Sequence, residues 1–294
     1  MLSLTNKEKI SSKEVFPLVI NSINDCAILH NGVKMPWLGL GVYKVQDGAE
    51  VIKAIHTAFE VGYRSVDTAA FYQNEKGVGQ AVKEAGIPRE QLFITTKVWN
   101  DCQGYEETLK AFEESRQKLG LDYIDLYLIH WPVKEKYIDT WRALEKLYQD
   151  GYVKAIGVCN FQVHHLQDLM KHAEIKPMVN QVEFHPCLIQ KEVRSFCKEN
   201  GIQLEAWAPL MRGRLMDDPT IVNIAKKYGK KPSQILLRWD LEHRVVTIPK
   251  SIHEERIKEN ADIFDFQLEE LDVQAIDALN RNERTGPDPD NFSF

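Results

Sequence analysis

Two hydrophobic rhythms alternate along this chain. Val51, Ile55, Ala58 and Phe59 share one face of a helix that Gly62 closes, and the apolar run "YRSVD" follows. Val78, Val82 and Ala85 repeat the helical face, Gly86 closes it, and "LFITTKV" comes next. The same turn recurs at Leu119-Gly120 before "YIDLYLIH", at Asp150-Gly151 before "VKAIGV" and at Asn200-Gly201 before "QLEAWA". "WLGLG" precedes the first helix, while "PMVNQVEF" and "VVTIPK" are reached without such a glycine and bring the strand-like runs to eight. These runs read as continuously apolar rather than alternating, as strands covered on both faces must be.

Eight such units predict an α/β chain of parallel strands joined by helices, and the economical closure is a (β/α)8 TIM barrel. A doubly wound open sheet is the rival; it would place G-x-G-x-x-G directly after the first strand. Gly39-x-Gly41 sits there, but "GLGVYKVQDG" lacks the third glycine and does not run straight into a helix. Gly77-x-Gly79 falls inside helical sequence and reads as close packing of helix on sheet. Upstream, "ILHNGVKM" sets Asn31-Gly32 between short alternating runs, the signal for a tight antiparallel hairpin. Residues 1–22 carry no periodic pattern and are expected to form an extension, disordered or lightly docked. Residues 23–294 are expected to form one domain.

Composition narrows the partners. The chain has 294 residues, 44% of them hydrophobic, enough for a sizeable core. Asp plus Glu outnumber Lys plus Arg by 43 to 37 and no basic cluster tracks a phosphate backbone, so a small molecule is expected rather than nucleic acid. The five cysteines contain no C-x-x-C pair, which argues against a disulfide framework or zinc knuckle and for a reducing cytoplasm. No apolar run reaches membrane-spanning length, and the N-terminal residues mix Lys and Glu where a signal peptide needs an unbroken apolar core.

A parallel barrel gathers its functional groups at the carboxyl ends of its strands. Here those ends carry Asp67, Lys97, His130, Asn160, Gln181, Glu183, Trp207 and Lys250. A polar or aromatic group at nearly every end describes a lined pocket. Asp67 and Lys97, on adjacent strands, can pair in the barrel mouth, and Tyr72 on the intervening loop can fold over them. An ammonium about 4 Å from the phenol would favour phenolate by up to about 4 kcal/mol at an effective dielectric of about 20. Asp67 offsets part of that, and the expectation is a phenol poised to exchange a proton near neutrality. His130, one strand further on, is placed to donate to an oxygen held beside the phenol.

The blocks "MPWLGLGVY", "VDTAAFYQNEKGVGQAV", "TTKVWN", "YIDLYLIHWP", "IGVCNF", "NQVEFHP" and "IPKSIHEERIKEN" resemble, in order, the signature blocks of the aldo-keto reductase superfamily from about Ile28 onward. The resemblance implies a barrel whose floor is closed by the N-terminal β-hairpin. It implies hydride transfer between NADPH and a carbonyl carbon by a tetrad of Asp67, Tyr72, Lys97 and His130, with Tyr72 as general acid in reduction and no metal. Trp207 then matches the platform for the nicotinamide ring, and Asn160 and Gln181 its carboxamide contacts. Lys250, Ser251 and Arg256 match the 2'-phosphate site, with Glu259 and Asn260 nearest the adenine. Gly41, Val42, Asp67, Cys159, Pro209 and Leu210 complete the implied cofactor set.

Tyr43, Trp99, His130 and Trp131 would line the substrate mouth. Cys159 and Ala208 depart from the family, which often has serine at both places, and this bears on cofactor affinity. The connections "HWPVKEKYIDTW" and "PLMRGRLMDDP" are short, implying an open pocket for aldehydes, dicarbonyls or ketones; a monomer is expected. Two other readings use the same barrel. A metal hydrolase would need His130 and His185 as ligands, but no acid-histidine set has ligand spacing. A nucleotide-binding sensor or regulatory subunit would bind the cofactor with slow catalysis.

Overall fold

A computed structural model describes residues 19–294. The outset is a two-stranded antiparallel ladder, β1 (Cys26–Ile28) and β2 (Lys34–Pro36), with Cys26 opposite Pro36. Eight parallel strands follow: β3 (Leu40–Gly41), β4 (Ser65–Asp67), β5 (Phe93–Val98), β6 (Ile124–Ile129), β7 (Val153–Cys159), β8 (Val179–Glu183), β9 (Gln203–Trp207) and β10 (Val246–Thr247). Each bonds to its neighbours in chain order. The first and last also meet: the Gly39 amide donates to the Thr247 carbonyl at 3.0 Å, Thr247 to Trp37 at 3.0 Å, and Gly41 to Pro249 at 3.2 Å. That closure makes the sheet a barrel and rules out the doubly wound rival.

Every residue of β5, β6 and β8 is buried, which is why these segments read as unbroken apolar or small-polar runs. Outside them run α1 (Ala49–Glu60), α2 (Glu75–Glu84), α3 (Tyr105–Leu119), α4 (Tyr137–Gln149), α5 (Val163–His172), α6 (Lys191–Asn200), α7 (Pro219–Tyr228), α8 (Pro232–Glu242), α9 (Glu254–Ala261) and α10 (Glu270–Asp277). α1 buries Val51, Ile55, Ala58 and Phe59, the face its spacing predicts. α3 ends on Gly120 at φ +63°, a left-handed cap that costs glycine little. α7 starts from Asp218, whose side chain accepts from the Thr220 and Ile221 amides, with Pro219 in the first turn. Gly79 in α2 abuts the Leu119 backbone so closely that a Cβ would overlap its carbonyl, so the glycine pair serves helix packing.

The hairpin at Asn31-Gly32 is present, but its turn differs from the expected one. Gly32 donates to the Leu29 carbonyl at 2.8 Å and Leu29 to that of Val33 at 2.9 Å; Gly32 has φ +87°, while Asn31 is not left-handed. This is a type I turn closed by a glycine bulge, not a two-residue turn that needs both residues at positive φ. Asn31 Nδ2 reaches the Lys154 carbonyl near the amino end of β7 at 3.0 Å, and Ala27, Leu29 and Met35 are buried, so the hairpin seals the floor. Residues 1–18 of the expected extension lie outside the described residues. In the remainder, Ile20 is 2% exposed and its carbonyl accepts from Arg238 Nη1 at 2.7 Å, so the chain is pinned to the barrel at Ile20.

Candidate active site

The strand ends converge as the sequence predicts. Asp67 closes β4 and is 2% exposed; Lys97, in β5, is 0% exposed. Lys97 Nζ donates to Asp67 Oδ1 at 2.6 Å, to the Thr68 carbonyl at 2.9 Å and to Tyr72 Oη at 3.4 Å. Tyr72 sits on a single 3₁₀ turn, Ala70–Tyr72. Asn74, fully buried, secures the chain beyond it: its Nδ2 donates to the carbonyls of Val42 and Val45, and its Oδ1 accepts from the Thr68 hydroxyl. His130 follows β6, its ring 5.7 Å from that of Tyr72 and nearly perpendicular to it.

Burial sets the proton inventory here. The Tyr72 phenol is held above its ordinary pKa because desolvation outweighs the attraction of Lys97, and Asp67 and Cys159 oppose ionisation further. The expected near-neutral phenol is therefore corrected: Asp67 takes the close contact with the ammonium, and Tyr72 keeps its proton. Burial also works against the Lys97 charge, but Asp67, Tyr72 and Cys159 together more than offset it, so Lys97 stays cationic. His130 is pushed well below the usual histidine value by burial and by Lys97, so the imidazole is neutral. Its Nδ1 is buried without a partner.

Above these groups opens one elongated cavity of about 1140 Å³. Asp67, Tyr72 and His130 reach it at one end, with Tyr43, Trp99 and Trp131 as walls. Cys159, Asn160, Gln181 and Trp207 line its middle, and Gly41, Pro209 and Leu210 flank them. Lys250, Ser251, Arg256, Glu259 and Asn260 line the far end, where α9 begins. Val42 is the exception: its side chain is 0% exposed and lies outside the lining.

The groups lining the middle and far end suit a nicotinamide dinucleotide in their chemistry. Trp207 presents a flat ring whose Nε1 is fixed by Asn160 Oδ1 at 2.8 Å. Asn160 holds that position at φ +66°, a left-handed conformation Asn tolerates better than most residues. Gly41 leaves room where a Cβ would press on the Ile248 carbonyl. Among the described residues no ion pair engages Lys250 or Arg256, whereas Glu259 is paired with Lys231. Two cations beside the start of a helix suit a phosphate.

Several groups at the site escape a reading by sequence. Phe71 stacks on Trp99 with ring centroids 3.8 Å apart, and Phe294 lies parallel to Trp99 at 5.7 Å, so an aromatic wall faces His130 at its edge. The tail that brings Phe294 there is rooted by Glu183. Its carboxylate accepts from the Thr285 amide and hydroxyl and from the Gly286 amide, beside His185 Nε2 at 3.1 Å. Gly286 then packs against the Trp207 ring so tightly that a Cβ would collide with it. Further along, Asp290 Oδ1 lies 3.0 Å from His164 Nε2 and 3.5 Å from His165 Nε2. The Gln162 amide donates to His165 Nδ1, which leaves the proton of the neutral ring on Nε2 and only the other two groups with free ligand atoms. Lys231 and Ser233 also line the far end. The "NFSF" ending and the "FY" doublet were the available signals for the aromatic wall; nothing local marks Lys231 or Glu183 for these tasks.

The profile of the Aldo/keto reductase family matches residues 37–281. Glyoxal reductase of Bacillus subtilis (strain 168) is 64% identical over 273 residues, 93% of this chain and 99% of that protein. Among solved structures, the aldo-keto reductase MGS-M4 from a Medee basin deep-sea metagenome library superposes with a TM-score of 0.89 at 49% identity, covering 91% of this chain and 100% of that one. A variant of Gox0644 crystallised in complex with NADPH gives a TM-score of 0.87 at 42% identity, covering 92% and 98%. The tetrad geometry, the closed barrel and these likenesses lead to one conclusion: the chain belongs to the aldo/keto reductase family.

Proposed function

We propose that this NADPH-dependent oxidoreductase reduces small aldehydes and dicarbonyls, with Tyr72 as the proton donor. Carbonyl reduction with NADPH follows from the family and from the relatives above. The dicarbonyl preference rests on the glyoxal reductase at 64% identity. The observation that carries the proton-donor role is the Tyr72 phenol oxygen 3.4 Å from Lys97 Nζ at an aromatic-walled cavity.

When bound, the nicotinamide supplies the hydride to the carbonyl carbon. Tyr72 Oη gives its proton to the carbonyl oxygen, and Lys97 stabilises the phenolate left behind. Asp67 keeps Lys97 in place and neutralises it between turnovers. His130, neutral, offers an N–H to the same oxygen and so fixes which lone pair faces the phenol. Trp207 and Asn160 are proposed to hold the nicotinamide ring. Gln181 is proposed to meet its carboxamide through Oε1, because Nε2 is occupied by Asp67 and Glu205. Lys250, Ser251 and Arg256 are proposed to take the 2'-phosphate, and Glu259 and Asn260 to border the adenine.

The five cysteines are unpaired, in keeping with a cytoplasmic setting. The test is Tyr72→Phe: turnover of glyoxal-type substrates should fall by about a hundredfold or more, since general acid catalysis contributes on that order. Its NADPH affinity, followed by tryptophan quenching, should stay within about twofold, well under the tenfold that 1.4 kcal/mol would give. Near wild-type turnover would rule out the phenol as donor.

A further inference from the structure

Strand β9 aims into the barrel a carboxyl that the mechanism above leaves without a task. Glu205 is 1% exposed and lies in register with Gln181 on β8 and Val246 on β10. Its Oε2 accepts from Gln181 Nε2 at 2.8 Å, and its Oε1 is buried without a partner. Gln181 Nε2 also donates to Asp67 Oδ2 at 2.8 Å. A continuous chain therefore runs from the Tyr72 phenol through Lys97, Asp67 and Gln181 to Glu205.

The charges in this chain do not balance unless Glu205 holds a proton. The titratable groups around it are Asp67 on β4, Tyr72 on the loop after it, Lys97 on β5 and Cys159 on β7; Gln181 and Val246 on the flanking strands carry none. Lys97 is the only cation in that set, and it is committed to Asp67 at 2.6 Å. The Cys159 thiol is held protonated by burial. A second carboxylate would have one amide N–H and no cation at a buried position. Burial, reinforced by Asp67, pushes the Glu205 pKa up to about 8. Lys97 plus, Asp67 minus and Glu205 neutral leave the cluster uncharged.

Trp207 lies two residues beyond Glu205 on β9, hence on the same side of the strand, and with Gln181 it lines the cavity. The nicotinamide ring proposed for that place is uncharged in NADPH and cationic in NADP+. We propose that Glu205 is the proton-linked charge partner of the oxidised cofactor, a neutral acid under NADPH and a carboxylate under NADP+. This rests on the nicotinamide placement given under the proposed function. At Glu205 the step breaks one O–H bond and releases the proton to solvent; no electron moves there. The sign follows from linkage: binding that releases a proton tightens as pH rises, by up to about tenfold per pH unit below the Glu205 pKa. NADPH, which releases none at this site, lacks that dependence. The 2'-phosphate titrates in both cofactors and cancels in their ratio.

Calorimetric titration of the whole protein with NADP+ and with NADPH, in two buffers of different ionisation heat at a pH of about 7, counts the protons released. NADP+ should release up to about one more than NADPH. Glu205→Gln keeps the shape and an acceptor for Gln181; it should abolish that difference, weaken NADP+ about tenfold and leave NADPH within about twofold. Equal proton release by the two cofactors on the wild-type protein overturns the proposal whether or not the variant folds, and so does a variant that weakens both cofactors alike. Trp207→Ala, titrated alongside, separates the two readings. If it changes neither affinity, the nicotinamide placement fails; if it weakens both while wild type shows no proton difference, only the role of Glu205 fails.

Discussion

Lys97 divides one ammonium among Asp67 Oδ1, the Thr68 carbonyl and Tyr72 Oη, and the unequal distances decide what each receives. Asp67 is closest, so the phenol feels a partly neutralised cation from inside a buried site and stays protonated. A donor is what carbonyl reduction requires; a phenolate would have favoured the reverse reaction. At the far end of the cavity the balance is simpler, because Arg256 has no carboxylate partner among the described residues. A charge-assisted bond to a phosphate contributes about 1.5–3 kcal/mol, so Arg256→Ala should weaken NADPH about ten- to a hundredfold. NADH, without that phosphate, should change much less. Paired titrations check this, and equal losses for both cofactors would mean that Arg256 supports α9 instead of reading the phosphate.

Elements differ in how openly their sequence declares them. The segment before the hairpin looks featureless, yet Ile20 is buried and Arg238, itself 2% exposed, donates to the Ile20 carbonyl. A chain beginning at residue 23 should therefore be less stable than one beginning at residue 19 by about 2 kcal/mol, from one lost apolar burial and one lost hydrogen bond of the buried Arg238 guanidinium, which keeps Glu242 and the Ile263 carbonyl. Thermal melts of the two chains decide it, and identical midpoints would show that these four residues carry no weight. The barrel strands were legible because both of their faces are buried, so each run announces itself without reference to a partner. The clustering of Asp67, Tyr72, Lys97 and His130 was legible because barrel geometry turns strand order into spatial order. The type I bulge at Gly32 was not, since Asn-Gly serves both turns and hydrogen bonds across the loop choose between them. The root of the tail was hidden for a different reason: Glu183 and Thr285 are far apart in the chain, and only closure of the barrel makes them neighbours. The protonation of Tyr72 was hidden too, because burial is a property of the folded molecule and it reversed a sign that pairwise charges alone had suggested.

The molecule as a whole is a ring of strands, and a ring yields first where it is joined most lightly. Strands β3 and β10 have two residues each, against six in β5 and β6. The join between them rests on a few bonds from Gly39, Gly41 and Thr247. Segments with few backbone bonds open with less free energy than the global transition. In the ligand-free protein the amides of Gly39, Gly41 and Thr247 should exchange with deuterium faster than those of β5 and β6. Gly41 and Lys250 stand on opposite sides of this join and both line the cavity, so a dinucleotide lying there would bridge it as a rivet bridges a lap joint. NADPH should then slow exchange at those amides more than in β5 or β6, and uniform slowing would mean no local bridging. The lightest join in the hoop would thus be fastened by the cargo it carries: an empty barrel breathes at its mouth, and loading it stiffens the wall.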